Sequence, residues 1–283
     1  MSDILESVNL FNFPLNVMIV DDDIDFLNLL QQQFKDKTVL TVYNSPVDVI
    51  NNIDPINIST KYFLEEKFIG VQDLNYNNIE FFVKNCKNYH GVLVADYTMP
   101  TINGIELLTK YSNSNLIKIL LTNIYTANDA INALNKKLIN HYLPKEKASI
   151  IAEVIREQQN ILFSDMSKNI TNCLESNDLN FLYDKVYINI FNNICKQYNI
   201  KKYYIINNYG NYYMENDTQK FIFSIYNSIA LIDISKEVPQ DIKYNVEHGY
   251  LIPSYFTNQD SNNHKLIDAI KQGNYSYCIE HII

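Results

Sequence analysis

The sequence predicts an α/β protein: a doubly wound, five-stranded parallel sheet with a helical insertion, plus a C-terminal α+β domain with a small antiparallel sheet. The first prediction rests on short apolar, β-branched runs that alternate with helical stretches over residues 14–158, because parallel strands need crossover connections. The second rests on two aromatic-rich runs, within residues 201–215, that flank a turn containing Asn208 and Gly210.

Each predicted strand of the parallel sheet is a short apolar run. The five strands are residues 16–21, 38–43, 90–97, 116–122 and 139–144, and helical patterns lie between them. Open parallel sheets bind ligands at the carboxyl ends of their strands, and right-handed crossovers bring those ends to one edge. The sequence therefore predicts a functional site at that edge.

The residues at four of these strand ends carry reactive groups. Strand one ends at Asp21 and Asp22, strand three at Asp96 and strand four at Thr122, while Lys145 follows strand five. Three carboxylates beside a hydroxyl and an ammonium suit a hard divalent cation and a phosphoryl group. A simpler interpretation of the aspartate run after strand one is a helix N-cap, and the residues by themselves leave both interpretations open.

Composition restricts the class of protein. The chain has 283 residues, enough for about two domains, with a formal net charge of −9 and a single arginine, Arg156. This charge argues against a surface that coats nucleic acid. The four cysteines lack metal-ligand spacing, and the sequence shows neither a signal-peptide pattern nor an apolar run of membrane-spanning length. We therefore expect a cytoplasmic protein that makes no membrane contact.

The motif DYTMPTING, residues 96–104, directly follows the third strand. With the acidic pair after strand one, the hydroxyl ending strand four and the lysine after strand five, it resembles the receiver domain of two-component response regulators. Tyr142, three residues before Lys145, matches the switch aromatic of that family. The resemblance implies a flavodoxin-like receiver fold and a bacterial protein of phosphorelay signal transduction.

The resemblance implies a chemical role for four residues. Asp96 would be the nucleophile that becomes phosphorylated, with Thr122 and Lys145 binding the phosphoryl group. Thr122 would move toward the phosphoryl oxygen and leave space into which Tyr142 rotates. This pair would be the switch that changes a surface of the receiver.

The resemblance also implies a Mg²⁺ site. Asp22, Asp96 and the backbone carbonyl of Thr98 would bind the ion directly, and Asp21 would bind it through a water molecule. The cation would screen the negative charge that otherwise opposes attack by a carboxylate on phosphorus.

Three features depart from the family pattern. Pro144 precedes the lysine, whereas the family usually places proline after it, and the residue after the switch threonine is Asn123 rather than a small one. The segment of residues 54–89, between strands two and three, is longer than receivers need. It is either a packed helical excursion or a docking surface for a kinase or downstream partner.

The second half of the chain is predicted as a helical connector over residues 159–200 and an α+β output domain over residues 201–283. The connector either packs on its own domains or forms a dimer seam. Within the output domain the patterns predict a strand over residues 220–234, a helix over 263–271 and a final strand over 275–282.

Together these features predict a phosphoacceptor response regulator that signals through protein–protein contacts and is not itself an enzyme. The expected partners are a histidine kinase or phosphotransfer protein and a downstream protein, with a homodimer possible and DNA excluded. Residues 165–283 contain more acidic than basic residues, which argues against DNA. The alternative is a receiver that controls an enzyme or a ligand-sensing C-terminal domain.

Overall fold

The computed structural model describes residues 7–34, 40–53, 76–85, 90–112, 114, 116–123, 127–172, 179–254 and 265–282. The chain divides into two compact units. One, the receiver unit, comprises Pro14–Ile69 and Lys84–Asp165; the other, the output unit, comprises Met1–Phe13, Gly70–Val83 and Met166–Ile283.

The receiver unit alternates strands and helices, as the sequence predicts. Its elements are β2 (Asn16–Val20), α1 (Ile24–Gln33), β3 (Leu40–Tyr43), α2 (46–53), β4 (His90–Asp96), α4 (Gly104–Lys110), β5 (Ile117–Thr122), α5 (Ala127–Asn135), β6 (His141–Pro144) and a 3₁₀ helix (Lys145–Ile150) that leads into α6 (Ile151–Asn172). The five strands pair in parallel in the order β3-β2-β4-β5-β6. This confirms the doubly wound sheet.

A buried cluster holds three helices against one face of this sheet. Side chains that alternate along the strands, such as Met18 and Val20 of β2, pack with Leu107 and Leu108 of α4 and with residues of α2 and α5. The three central strands, β2, β4 and β5, are buried along nearly their whole length, as expected of a sheet covered on both faces, whereas the edge strands β3 and β6 are mostly half-buried. The rigid sheet fixes where its carboxyl ends lie.

The output unit is built on an antiparallel sheet. Its elements are β1 (Phe11–Asn12), α3 (Tyr76–Lys84), a 3₁₀ helix (Asn180–Tyr183), α7 (Lys185–Gln197), β7 (Lys202–Ile205), β8 (Tyr212–Glu215), β9 (Lys220–Asn227), α8 (Ser228–Ser235), α9 (Gln240–Glu247), β10 (Leu251–Pro253), β11 (Leu266–Asp268), β12 (Ile270–Gln272) and β13 (Tyr275–Ile282). Six strands pair in the order β1-β7-β8-β9-β13-β12, and β10 pairs with β11. The α+β class and the β7–β8 hairpin agree with the sequence prediction.

Two segments that precede receiver strands in the chain belong to the output unit. Strand β1 pairs antiparallel with β7, with Phe11 opposite Tyr204, and Phe82 of α3 packs its ring against Phe11 and Phe13 at 5.5 and 5.4 Å. The Tyr204 hydroxyl donates to Glu80 of α3 at 3.0 Å. The described part of the insertion is therefore a packed helix; residues 54–75 lie outside the described residues.

The domain boundaries accordingly differ from the predicted ones. Residues 166–200 join residues 201–283 in one compact unit rather than forming a separate connector, and that unit also takes in β1 and most of α3. Helix α6 continues across the boundary between Asp165 and Met166. Ile151, Val154 and Ile170 of this helix are buried, whereas Ile161 is 49% exposed, and the dimer seam stays a prediction.

Two predicted elements of the output unit are wrong. The predicted strand over residues 220–234 ends at Asn227, whose side chain accepts a hydrogen bond from Ala230 N at 2.8 Å and caps α8. The predicted helix over 263–271 is, from Leu266 onward, two short strands, because β11 pairs with β10 and β12 with β13. At the first place the Asn227 cap ends the strand and begins a helix, and at the second, pairing with neighbouring strands overrides local preference.

None of the helices within the described ranges has both the length and the apolar character that crossing a membrane requires.

We predict that Phe11→Ala destabilises the protein by about 3–5 kcal/mol, because it removes a fully buried aromatic side chain. The matched control is Phe81→Ala, since Phe81 of α3 is 54% exposed and its loss should have a far smaller effect. Urea unfolding followed by circular dichroism measures both. Similar small losses for the two variants would show that β1 contributes nothing to the stability of the output unit.

Candidate functional site

The carboxyl ends of β2, β4 and β6 bring two acidic residues and a lysine into contact. Lys145 Nζ lies 2.7 Å from Asp21 Oδ2 and 3.0 Å from Asp96 Oδ1. Asp21 and Asp96 are buried, and the Lys145 side chain is 20% exposed. The structure therefore assembles the predicted constellation around one ammonium group, although Pro144 precedes this lysine.

The acidic residues of this site have the geometry of a metal site. One carboxylate oxygen from each of Asp21, Asp22 and Asp96 lies within 4.8 Å of the others. Asp21 Oδ2 and Asp96 Oδ1 are buried and accept no directed hydrogen bond from the described residues, although both lie in ion-pair contact with Lys145. Oxygen atoms of this kind suit a hard divalent cation with water in its remaining positions.

Burial and charge shift the pKa values of the three contacting groups of the site. Burial raises the pKa of Asp21. Burial, together with the charge of Asp21, raises the pKa of Asp96. Burial alone would lower the pKa of Lys145, but contact with the two carboxylates outweighs it and raises that pKa. One ammonium thus compensates two buried carboxylates only in part, and an additional cation would relieve the remainder.

The contacts of Asp23 show which residue of the aspartate run caps a helix. Its side chain accepts a hydrogen bond from Phe26 N at 3.0 Å and caps α1, while its own backbone N–H donates to Asp21 Oδ1 at 3.0 Å. The capping interpretation therefore holds for Asp23, whereas Asp21 and Asp22 belong to the acidic cluster that could hold a metal ion. The cap orients the turn that presents the two ligands.

The DYTMPTING turn holds the Asp96 side chain in place. Thr98 N donates to Asp96 Oδ2 at 3.2 Å. Thr101 has a φ of 73°, and Ile102 N donates to Pro100 O at 3.0 Å, which closes a three-residue γ-turn. Left-handed backbone at a β-branched residue is unfavourable by roughly 1–3 kcal/mol and occurs where the surrounding structure enforces it.

Gly104 ends this turn because no larger residue fits there. Its N–H donates to Tyr97 O at 3.0 Å, and a Cβ atom at this position would lie 2.1 Å from the carbonyl oxygen of Asp96. The next helix, α4, starts at Gly104 with a capping box between Asn103 and Glu106. The motif is therefore a steric requirement of the loop that carries Asp96.

The two predicted switch residues lie on neighbouring strands. Thr122 ends β5 and is buried, and it lies opposite Pro144 of β6. Tyr142 is half-buried and packs against the core cluster of the receiver unit. Asn123, which follows the switch threonine, is exposed. The structure places Thr122 and Tyr142 on the strands β5 and β6, and their switch role stays a prediction.

One contact of the site and one contact next to it were missed from the sequence. The Phe26 ring of α1 lies under the Lys145 ammonium, with Nζ 4.9 Å from the ring centroid. The Tyr97 hydroxyl donates to Asp129 of α5 at 2.8 Å. The one sequence feature that could have indicated the Phe26 contact is its position in the first turn of the helix capped by Asp23. The same position is equally typical of a core residue.

Solved structures resemble this chain, whereas no protein-family model and no curated protein matches it. The response regulator LqsR from Legionella pneumophila is 26% identical, with a TM-score of 0.75 over 98% of this chain and 90% of that chain. A CheY-like receiver domain protein from Methanospirillum hungatei is 16% identical over 54% of this chain and 99% of that one, with a TM-score of 0.37. Only the first similarity is close enough to support an inference.

The similarity to LqsR extends through both units and includes the receiver fold that carries the site. This is the architecture of a response regulator. The parallel sheet is the flavodoxin-like receiver of that class, and the antiparallel sheet with its helices is its α+β second domain.

We predict that Gly104→Ala costs about 1–3 kcal/mol of stability and weakens divalent-cation binding, because the new Cβ displaces the loop holding Asp96. The matched control is Gly273→Ala of the output unit, where φ is 60°. It should lower stability and leave cation affinity unchanged. Thermal unfolding with and without Mg²⁺ separates the two effects; parental cation affinity in Gly104→Ala would contradict the prediction.

We also predict that Asp96→Asn stabilises the metal-free protein at pH 7. The pKa of Asp96 in the folded state is raised above its ordinary value of 3.8, so ionisation opposes folding at any pH above the folded-state value. This destabilisation disappears as the pH falls below the ordinary pKa of 3.8, so the stability that Asp96→Asn gains over the parent should decrease with falling pH. Urea unfolding between pH 4 and 7 measures this, with exposed Asp25→Asn as control. An Asn variant no more stable than the parent at pH 7 would refute it.

Proposed function

We propose that this protein is a phosphoacceptor response regulator of a bacterial two-component system, phosphorylated on Asp96. The observation that carries the proposal is the contact of a single ammonium, on Lys145, with the buried carboxylates of Asp21 and Asp96. A buried acidic pair held by one lysine is costly to keep and needs a functional reason.

In the proposed reaction an oxygen of the Asp96 carboxylate forms a bond to phosphorus. The bond between phosphorus and the donor's leaving group breaks, and the leaving group departs with its electron pair. Thr98 N donates to Asp96 Oδ2, so that oxygen is already engaged, while Oδ1 faces Lys145. Both oxygens of Asp96 therefore have a partner in the unphosphorylated protein.

Lys145 would stabilise the charge that develops on the phosphoryl oxygens. In the structure its ammonium contacts both Asp21 and Asp96, so it already lies next to the position that a phosphoryl group on Asp96 would take. A preplaced cation needs no reorganisation during the reaction and is for that reason effective.

The acidic cluster fits a divalent cation, which we propose to be Mg²⁺. Asp21, Asp22 and Asp96 would hold it, with the Thr98 carbonyl as a further oxygen donor. When bound, Mg²⁺ would supply positive charge that offsets the repulsion between these carboxylates and an incoming phosphoryl group. The approach of one carboxylate oxygen from each of these residues to within 4.8 Å of the others supports this assignment.

Phosphorylation would be reported through Thr122 and Tyr142. Thr122 is buried at the end of β5, and its hydroxyl would bind a phosphoryl oxygen once one is present. Tyr142 is half-buried against the core, so a shift of Thr122 would change the room available to its ring. The two packings form a two-state element that a local charge biases.

A histidine kinase or phosphotransfer protein would supply the phosphoryl group in the cytoplasm, and a protein would receive the output. Two features of the output unit support contact with protein rather than DNA: residues 165–283 contain more acidic than basic residues, and α8 exposes Ile229 and Ile232. Salt-sensitive binding to mixed duplex DNA at micromolar protein would contradict this part of the proposal.

We predict that acetyl phosphate with Mg²⁺ adds one phosphoryl group to the protein, detected by intact mass, and that Asp96→Asn abolishes the addition. Asp22→Ala should raise the Mg²⁺ concentration required, since it removes one carboxylate ligand. Lys145→Ala should slow the addition by roughly tenfold to a thousandfold, the range for a removed electrostatic contact in an active site.

The control carboxylate is Asp129, which lies on α5 and contacts Tyr97 rather than the acidic cluster. Asp129→Asn should leave the addition intact. An unmodified parent protein, indistinguishable from Asp96→Asn under all donor conditions, would overturn the proposed function.

A further inference from the structure

The ammonium of Lys145 has three neighbours rather than the two that the acidic site supplies. Besides Asp21 and Asp96, the face of the Phe26 ring approaches Nζ, at 4.9 Å from the centroid. A cation over an aromatic face within about 6 Å is attracted by the ring quadrupole. The ring therefore contacts the lysine from α1, an element that contributes none of its other partners.

The position of this ring is coupled to the metal-binding turn. Phe26 N donates to the capping side chain of Asp23, and Asp23 N donates to Asp21 Oδ1, both at 3.0 Å. Leu27, the next residue, is buried with 4% of its surface exposed. The first turn of α1 is thus fixed on both sides of Phe26, and the same turn presents Asp21.

We infer that Phe26 is a positioning residue for Lys145, whose ring keeps the ammonium at the phosphoacceptor. This inference rests on the proposed function. Lysine carries its charge on a flexible four-carbon stem that readily swings into water, and the Lys145 side chain is 20% exposed. The aromatic face attracts the cation without adding a further negative charge to a site that already holds three carboxylates.

The positioning of Lys145 by the Phe26 ring matters more once Asp96 carries a phosphoryl group. The ammonium must then follow the new phosphoryl oxygens and loosen its contact with Asp21, which is only 2.7 Å away. If an additional carboxylate contacted the lysine in place of the ring, that carboxylate would compete with the phosphoryl group for the ammonium. The weaker attraction of an aromatic face limits the excursions of the ammonium and leaves its N–H groups available to the phosphoryl oxygens.

The test measures how fast acetyl phosphate modifies Asp96 at saturating Mg²⁺, together with the affinity for beryllofluoride. Phe26→Leu removes the π face and should lower the rate and the affinity by roughly two- to fivefold. Phe26→Tyr keeps an aromatic face and should retain the parental values. Mg²⁺ affinity should change little in either variant, because Phe26 binds no metal.

Fluorinated phenylalanines, installed at position 26 alone, separate electrostatics from shape. Added fluorine weakens the ring quadrupole while the ring size stays nearly constant, so the rate should fall stepwise with fluorine number even where Phe26→Leu folds poorly. The matched control is Leu29→Ala on the same helix, 52% exposed, which should leave the rate unchanged.

If the rate of Asp96 modification did not change with fluorination, or changed only with side-chain volume, the inference would be wrong and the proposed function would be unaffected. A parent protein that acetyl phosphate does not modify at all would overturn both.

Discussion

Asp21 and Asp96 lie buried next to each other at the carboxyl edge of a parallel sheet, and much of the receiver unit is arranged to tolerate that placement. Burial raises the pKa of both carboxyl groups, and the charge of Asp21 raises that of Asp96 further, so ionising either group costs more in the folded state than in water. Lys145 opposes this effect by contacting both. Because its single charge compensates only part of theirs, the site attracts additional positive charge, which is the property that cation-assisted phosphoryl transfer requires.

The backbone around this pair is correspondingly constrained. The turn after Asp96 contains a left-handed Thr101 and ends at a glycine whose missing side chain lets the chain pass the Asp96 carbonyl. The turn after Asp21 is closed by the Asp23 cap, which also places the Phe26 ring against the lysine. Each element that meets the carboxylates is held by contacts of its own, so the charged groups cannot simply move apart.

The order of elements along the chain connects this edge to the output unit. Strand β1 precedes β2, and Asp21 directly follows β2. Helix α3 precedes β4, which ends at Asp96, and Lys145 begins the 3₁₀ helix that continues into α6. β1, most of α3 and the end of α6 belong to the output unit. Short stretches of chain therefore join β2 and β4 to segments of the second unit, and the 3₁₀ helix and α6 join Lys145 to it.

The sequence by itself determined the parallel sheet, the strand ends and the acidic cluster, because buried parallel strands and the DYTMPTING turn have strong local patterns. Tertiary structure decided the rest. The apolar run after Asn227 lacks a period that separates helix from strand, and residues 266–272 form strands only because β10 and β13 pair with them. Strand β1 and helix α3 join the output unit through contacts with residues remote in sequence. The contact of Phe26 with Lys145 likewise joins opposite ends of the receiver unit, and no local pattern encodes a contact made only when the sheet closes.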